Sequence, residues 1–194
     1  LFRSGNQNEK NKDINMTTPK QIDDGGSAFP QPFDSVIETE RGRVKTVIGI
    51  DPGINGGIAW IVDGKPCVEK MPDTVKDLWE LLVSITNGFV AFRGSNALMF
   101  KAYIEAVTSS PQMGVKSAFT FGQGLGRLEM ALTAAGIPFE RVRPQQWQKA
   151  MKCMSGGNKN VTKARAQELF PSLKITHATA DALLIAEYGR RESP

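Results

Sequence analysis

A strand that ends in a carboxylate constrains this sequence most. Residues 44–50 are largely β-branched and apolar, and Ile48-Gly49-Ile50 runs directly into Asp51-Pro52-Gly53. An acid that leaves a buried strand for a Pro-Gly turn sits at a sheet edge, with its backbone fixed and its side chain open to solvent. Such an Asp can ligate a metal, or it can simply hydrogen-bond its own turn; the residue alone leaves both open. The β-branched character resumes over 56–62, and Asp63-Gly64 is a hairpin signal before 66–70. Three consecutive strands, an antiparallel meander, are expected to open the fold.

Farther along, the period changes from strand to helix. Thr74 caps an expected helix whose apolar positions Val75, Leu78, Trp79, Leu82 and Ile85 fall at helical spacing, with Asn87-Gly88 as its stop. A fourth strand is expected over 98–104, a Gly/Ser/Pro loop over 106–117, a helix over 119–135 closed by Gly136 and Pro138, and a fifth strand over 138–142. Helical segments over 144–151 and 162–170 follow, split by Ser155-Gly156-Gly157-Asn158, and then a last helix over 177–188. Strands first, then strands alternating with helices, imply an α/β fold with a mixed five-stranded sheet flanked by helices.

Length and composition bound the rest. A chain of 194 residues suits one compact domain plus an appendage. Residues 1–43 carry no apolar period and are rich in Asn, Gln, Asp, Gly and Pro, so they are expected to be disordered or loosely attached, with 44–194 as the folded domain. Met16 is a candidate native start, with residues 1–15 added by cloning or by an upstream reading frame. Seven acids in residues 1–43 argue against an organelle transit peptide, which is acid-poor. No apolar run is long enough to span a bilayer, so no membrane partner is expected. Two cysteines, Cys67 and Cys153, are too few for a disulfide framework, and a reducing compartment such as the cytoplasm is expected, with an organelle still open.

The net charge of +4 is concentrated. Between Arg143 and Lys174 lie seven basic residues (Arg143, Lys149, Lys152, Lys159, Lys163, Arg165, Lys174) against one acid, Glu168. That segment is a candidate phosphate-binding face, or else a solvated helix surface.

Two more acids join Asp51. Glu105 closes the expected strand 98–104, where a neighbouring strand would send it to the same sheet end as Asp51. Asp181 lies near the start of the apolar helix His177-Ala178-Thr179-Ala180-Asp181-Ala182-Leu183-Leu184, and His177, the chain's one histidine, shares its face one turn earlier. Well-separated carboxylates with an imidazole suit Mg²⁺, which prefers oxygen ligands and completes its shell with substrate phosphate. Two such ions about 4 Å apart serve phosphodiester hydrolysis.

Several motifs then occur in a telling order: Ile48-Gly49-Ile50-Asp51-Pro52-Gly53, Tyr103-Ile104-Glu105, Phe121-Gly122-Gln123-Gly124, Arg143-Pro144 with Trp147, Leu169-Phe170-Pro171, and Asp181-Ala182-Leu183-Leu184-Ile185-Ala186-Glu187-Tyr188. Over about 44–190 the chain resembles RuvC-type Holliday junction resolvases, particularly their bacteriophage-like relatives. The resemblance implies an RNase H-like fold, a homodimer, two Mg²⁺ or Mn²⁺ ions per active site, and paired nicks across a four-way DNA junction. It implies that Asp51, Glu105 and Asp181 are the catalytic acids and that Lys149 and Lys159 lie near the scissile phosphate. Family members carry a fourth ligand three or four residues before the last Asp, a place only His177 can fill here. The N-terminal extension resembles nothing in the family.

Two further roles stay open. Leu125, Leu128, Leu132 and Ala135 form an apolar helix face for a partner copy or for the chain's own sheet. The loop containing Pro111, Gln112 and Met113 is a wedge at a branch point or a plain exposed loop. Rival functions are a broader flap or fork nuclease, a catalytically impaired junction-binding protein, and a sugar kinase or actin-like ATPase. The last needs two such domains to enclose a nucleotide, so no nucleotide cofactor is expected.

Overall fold

The computed structural model describes residues 46–86, 100–107 and 112–193. The expected extension 1–43, the helix stop at Asn87-Gly88 and Pro111 lie outside the described residues. Strands β1 (Thr46–Asp51), β2 (Gly57–Val62) and β3 (Lys65–Lys70) form the antiparallel meander. The β2–β3 turn takes Asp63 to φ 48° and Gly64 to φ 78°, the left-handed pair that a tight hairpin requires. Helix α1 (Val75–Ile85) is followed by β4 (Phe100–Glu105), α2 (Val115–Ala134), β5 (Phe139–Val142), α3 (Pro144–Ala150), α4 (Lys159–Leu169) and α5 (His177–Glu192). β4 runs parallel to β1 and β5 parallel to β4, giving one mixed sheet in the order β3-β2-β1-β4-β5.

Strand alternation divides the core in two. Ile48, Ile50, Ile58, Ala102 and Ile104 meet Leu78 and Leu82 of α1 and Leu128 and Leu132 of α2. Val47, Ala59, Ile61 and Tyr103 face the other way, against α5 and, beyond it, Trp147 of α3 and Ala166 of α4. Nearly every residue of α5 from Thr179 to Gly189 is buried, as befits a helix apolar on all sides. Its contact with the sheet is very close. A Cβ on Gly49 would stand 2.2 Å from Ala182 O and Ala186 N, so only glycine admits the helix there.

Several expected details change. α1 buries Leu78, Leu82 and Ile85 but leaves Val75 and Trp79 partly exposed, so its apolar face is narrower than the spacing implied. α2 begins at Val115 rather than 119, and α4 at Lys159 rather than 162, where Asn158 caps it by accepting from Asn160 N at 3.0 Å. Leu128, Leu132 and Ala135 are buried against the chain's own sheet, with Leu125 packed beside them, which settles that face as core. The two cysteines are free, Cys67 exposed and Cys153 buried. No helix among the described residues is long and apolar enough to cross a membrane.

Candidate active site

Register alone brings the first two acids together. Ile50 pairs with Ile104 across the parallel β1–β4 ladder, so the next residues, Asp51 and Glu105, end adjacent strands side by side. Ile50 and Ile104 face α1 and α2, so by alternation Asp51 and Glu105 face α5. α5 supplies the third acid through its close seat on the sheet. Ala178 O lies where a Cβ of Gly57, the antiparallel partner of Asp51, would come within 2.8 Å, and Ala182 O lies over Gly49. Asp181 sits between those two contacts. His177, on the preceding turn, is exposed, and its Nε2 is 3.0 Å from Asn160 Oδ1, which ties it to the start of α4.

Local bonds hold the acids differently. Asp51 is 8% exposed, and its Oδ1 accepts from Gly53 N at 3.2 Å as the turn folds back. The expected turn hydrogen bond is therefore present, and it orients the carboxylate without excluding a ligand role. Glu105 is half-buried and accepts from Trp147 Nε1 at 3.1 Å, an indole with no exposed surface. Asp181 Oδ1 is buried with no hydrogen-bond partner.

The charges act on one another. Burial first, then the charge of Asp181, pushes the Asp51 carboxyl above its ordinary range, while the Gly53 N–H and Lys159 oppose the rise. Glu105 is pushed up to about 7 by burial and by the charges of Asp51 and Asp181, against the Trp147 hydrogen bond and Lys159. Cys153 rises to about 11 through burial, with Asp181 adding to the effect and Arg165 opposing it. Two carboxylates that resist ionisation, with the charge of a third acting on both, form a site in which a cation has much to neutralise.

Among the basic residues, Lys159 is brought to the acids: it is exposed on the first turn of α4, and its charge reaches Asp51 and Glu105. Arg143, Lys149 and Lys152 stay exposed on α3 and its flanks, and Lys163 is half-buried on α4. Lys152 takes a left-handed φ of 56°. Sequence reasoning gave no role to Trp147, although a fully buried indole N–H needs an acceptor. It also passed over Lys116 and Arg127, which with Ile54, Val75, Leu78 and Phe121 line a cleft of about 640 Å³ running from Asp51 between α1 and α2. Met113, from the expected wedge loop, lines that cleft as well.

The donors suit a hard divalent cation: carboxylate oxygens from three elements, one of them buried and unpartnered. Among the described residues, no three His, Cys, Asp or Glu side chains are yet gathered tightly enough to hold an ion. Mutual repulsion of the carboxylates opposes a closer approach.

No protein-family model and no curated protein matches the sequence. Solved structures do match in shape. Thermus thermophilus RuvC aligns over 76% of this chain and 97% of its own, with TM-score 0.52 and 21% identity. T. thermophilus RuvC in complex with Holliday junction substrate aligns over 76% and 95%, with TM-score 0.51 and 20% identity. The yeast mitochondrial Holliday junction resolvase Ydc2 aligns over 77% and 79%, with TM-score 0.38 and 14% identity. The mixed five-stranded sheet with its flanking helices is thus the RNase H-like fold of RuvC.

Proposed function

We propose that this chain is a structure-selective endodeoxyribonuclease that resolves four-way DNA junctions by paired nicks, using two Mg²⁺ ions per active site, with Mn²⁺ as a substitute. The observation that carries the reading is the convergence of Asp51, Glu105 and Asp181 at one end of one sheet face, with Lys159 beside them. The fold shared with RuvC, one structure of which contains a Holliday junction substrate, supports the choice of DNA. The order of motifs supports a place among the bacteriophage-like resolvases, and with it a role in recombination and repair in a bacterial or phage-infected cytoplasm.

Asp51, Glu105 and Asp181 would hold the cations, with His177 as a fourth donor in exchange for its bond to Asn160. Such cations supply Lewis acidity toward water and phosphodiester. The protein's own part is orientation and charge. Gly53 N–H and Trp147 Nε1–H aim Asp51 and Glu105, and Lys159 draws the phosphate toward them. Arg143, Lys149, Lys152 and Lys163 neutralise the neighbouring DNA backbone. A junction has approximate two-fold symmetry, which an isologous dimer matches. Val115, Phe119 and Met130, exposed on α2, offer an apolar stripe for the second copy.

Cleavage of four-way, three-way, flap and linear DNA, with Mg²⁺ and with Mn²⁺, tests the proposal. Asp51→Asn should lose cutting at least 100-fold while its junction affinity stays within about two-fold of wild type, because phosphate contacts lie elsewhere. Wild-type cutting by that variant would sink the assignment. Equal cutting of flaps and forks would favour the broader nuclease, and tight junction binding without cutting by the wild-type chain would favour an impaired binder.

A further inference from the structure

We infer that Trp147 is a positioning residue for Glu105, and that the chain's affinity for divalent cations depends on its indole N–H; the cation part rests on the nuclease reading above. Glu105 is the last residue of β4, so the strand fixes its Cα but not its carboxylate. The charges of Asp51 and Asp181 push that carboxylate away from them. Left to itself it would swing toward solvent.

Trp147 resists that motion. Its side chain has no exposed surface, packs in the cluster with Val142, Met151 and Leu184, and spends its one donor on Glu105 Oε1 at 3.1 Å. The helix that carries it is anchored on both sides. Gln146 Nε2 donates to Tyr188 OH of α5 at 2.7 Å, and Ala106 N, next to Glu105, donates to Val142 O at 2.7 Å, two residues before α3 begins. Donor and acceptor are therefore each tied to rigid elements, 42 residues apart in the chain.

The type of donor matters as much as its position. An ammonium or guanidinium at this place would neutralise the carboxylate and compete with a cation for it. An indole N–H carries no net charge: it fixes one oxygen and leaves the negative charge available, as groups that orient metal ligands do.

The chain has three tryptophans, Trp60, Trp79 and Trp147, and so three indole N–H signals in a ¹⁵N-correlated NMR spectrum. Trp147→Phe assigns its own signal by loss. Glu105→Gln should shift the Trp147 signal selectively, and so should Mg²⁺ added to the wild-type chain without DNA. Calorimetric titration should show Mg²⁺ binding about 10-fold weaker in Trp147→Phe, with junction affinity in EDTA unchanged. A Trp147 signal indifferent to both Glu105→Gln and Mg²⁺, or equal Mg²⁺ affinity in Trp147→Phe, overturns the inference. If Trp147→Phe fails to fold, the signals of the wild-type chain and Glu105→Gln still decide. Shifted signals in a chain that cuts no DNA would uphold the Trp147 role and remove the nuclease reading, and cutting with a silent signal would do the reverse.

Discussion

Glu105 keeps its proton up to about pH 7, where an ordinary Glu would lose it near 4.5. Its contribution to stability is therefore complete below about pH 4.5 and is lost as pH rises through 7, because the folded chain then holds a charge it shelters poorly. Asp51 shifts in the same direction. Thermal melts of the metal-free chain should show a falling Tm from pH 5 to 8. Glu105→Gln should flatten that fall and gain about 1–2 kcal/mol at pH 8, as relief of a strained site commonly does. Mg²⁺ at pH 8 should raise the Tm of the wild type more than that of the variant, and equal responses would show that Glu105 is not a ligand. Asp51 and Glu105 were legible in the sequence because each ends an apolar run, and Asp181 because it opens an apolar helix. The bond from Trp147 to Glu105 and the one between His177 and the Asn160 amide oxygen were not, since each depends on how a short helix docks rather than on any local period.

Helix starts are less legible in this sequence than strands. α2 carries Gly122, Gly124 and Gly126 in its interior, each costing about 1 kcal/mol against Ala, and its N-cap is Gly114, which has no capping side chain to announce a helix. The expected loop over 106–117 therefore takes in the first turn, from Val115. The expected start of α4 falls late for a related reason: Asn158 closes a Ser-Gly-Gly run that reads as loop, although it is the cap that sets Lys159 on the first turn. The strands fared better because β-branched runs and the Asp63-Gly64 turn are both local signals. Nothing lies within 4 Å of a Cβ placed on Gly122 or Gly126. In the isolated chain Gly122→Ala should thus stabilise α2 by up to about 1 kcal/mol. If α2 is instead covered by a second copy, as the proposed dimer would have it, the same change should weaken association, so light scattering and a thermal melt on one variant test α2 as that surface. A more stable variant with unaltered association would remove α2 from the proposed dimer.

The whole molecule sets a basic segment beside an acidic cluster. α3 and α4 lie on the α5 side of the sheet, the side to which Asp51 and Glu105 turn, so the cations from Arg143 to Lys163 flank the site they are proposed to serve. Lys159→Ala should slow junction cleavage and reduce the slope of log affinity against log salt by about 0.9, the share of one phosphate contact. Unchanged rate and slope would make it an ordinary surface lysine. The charge run shows in the sequence, but the sheet face it accompanies follows from strand order. Gly49 has the widest reach of any single residue here. Because two backbones touch at that point, the gap between the acids of β1 and α5 is gauged by main chain alone, like the fixed jaw of a caliper. Under the proposed function, loops and surface lysines would then drift to suit differently branched DNA while the spacing of the acids stays the same.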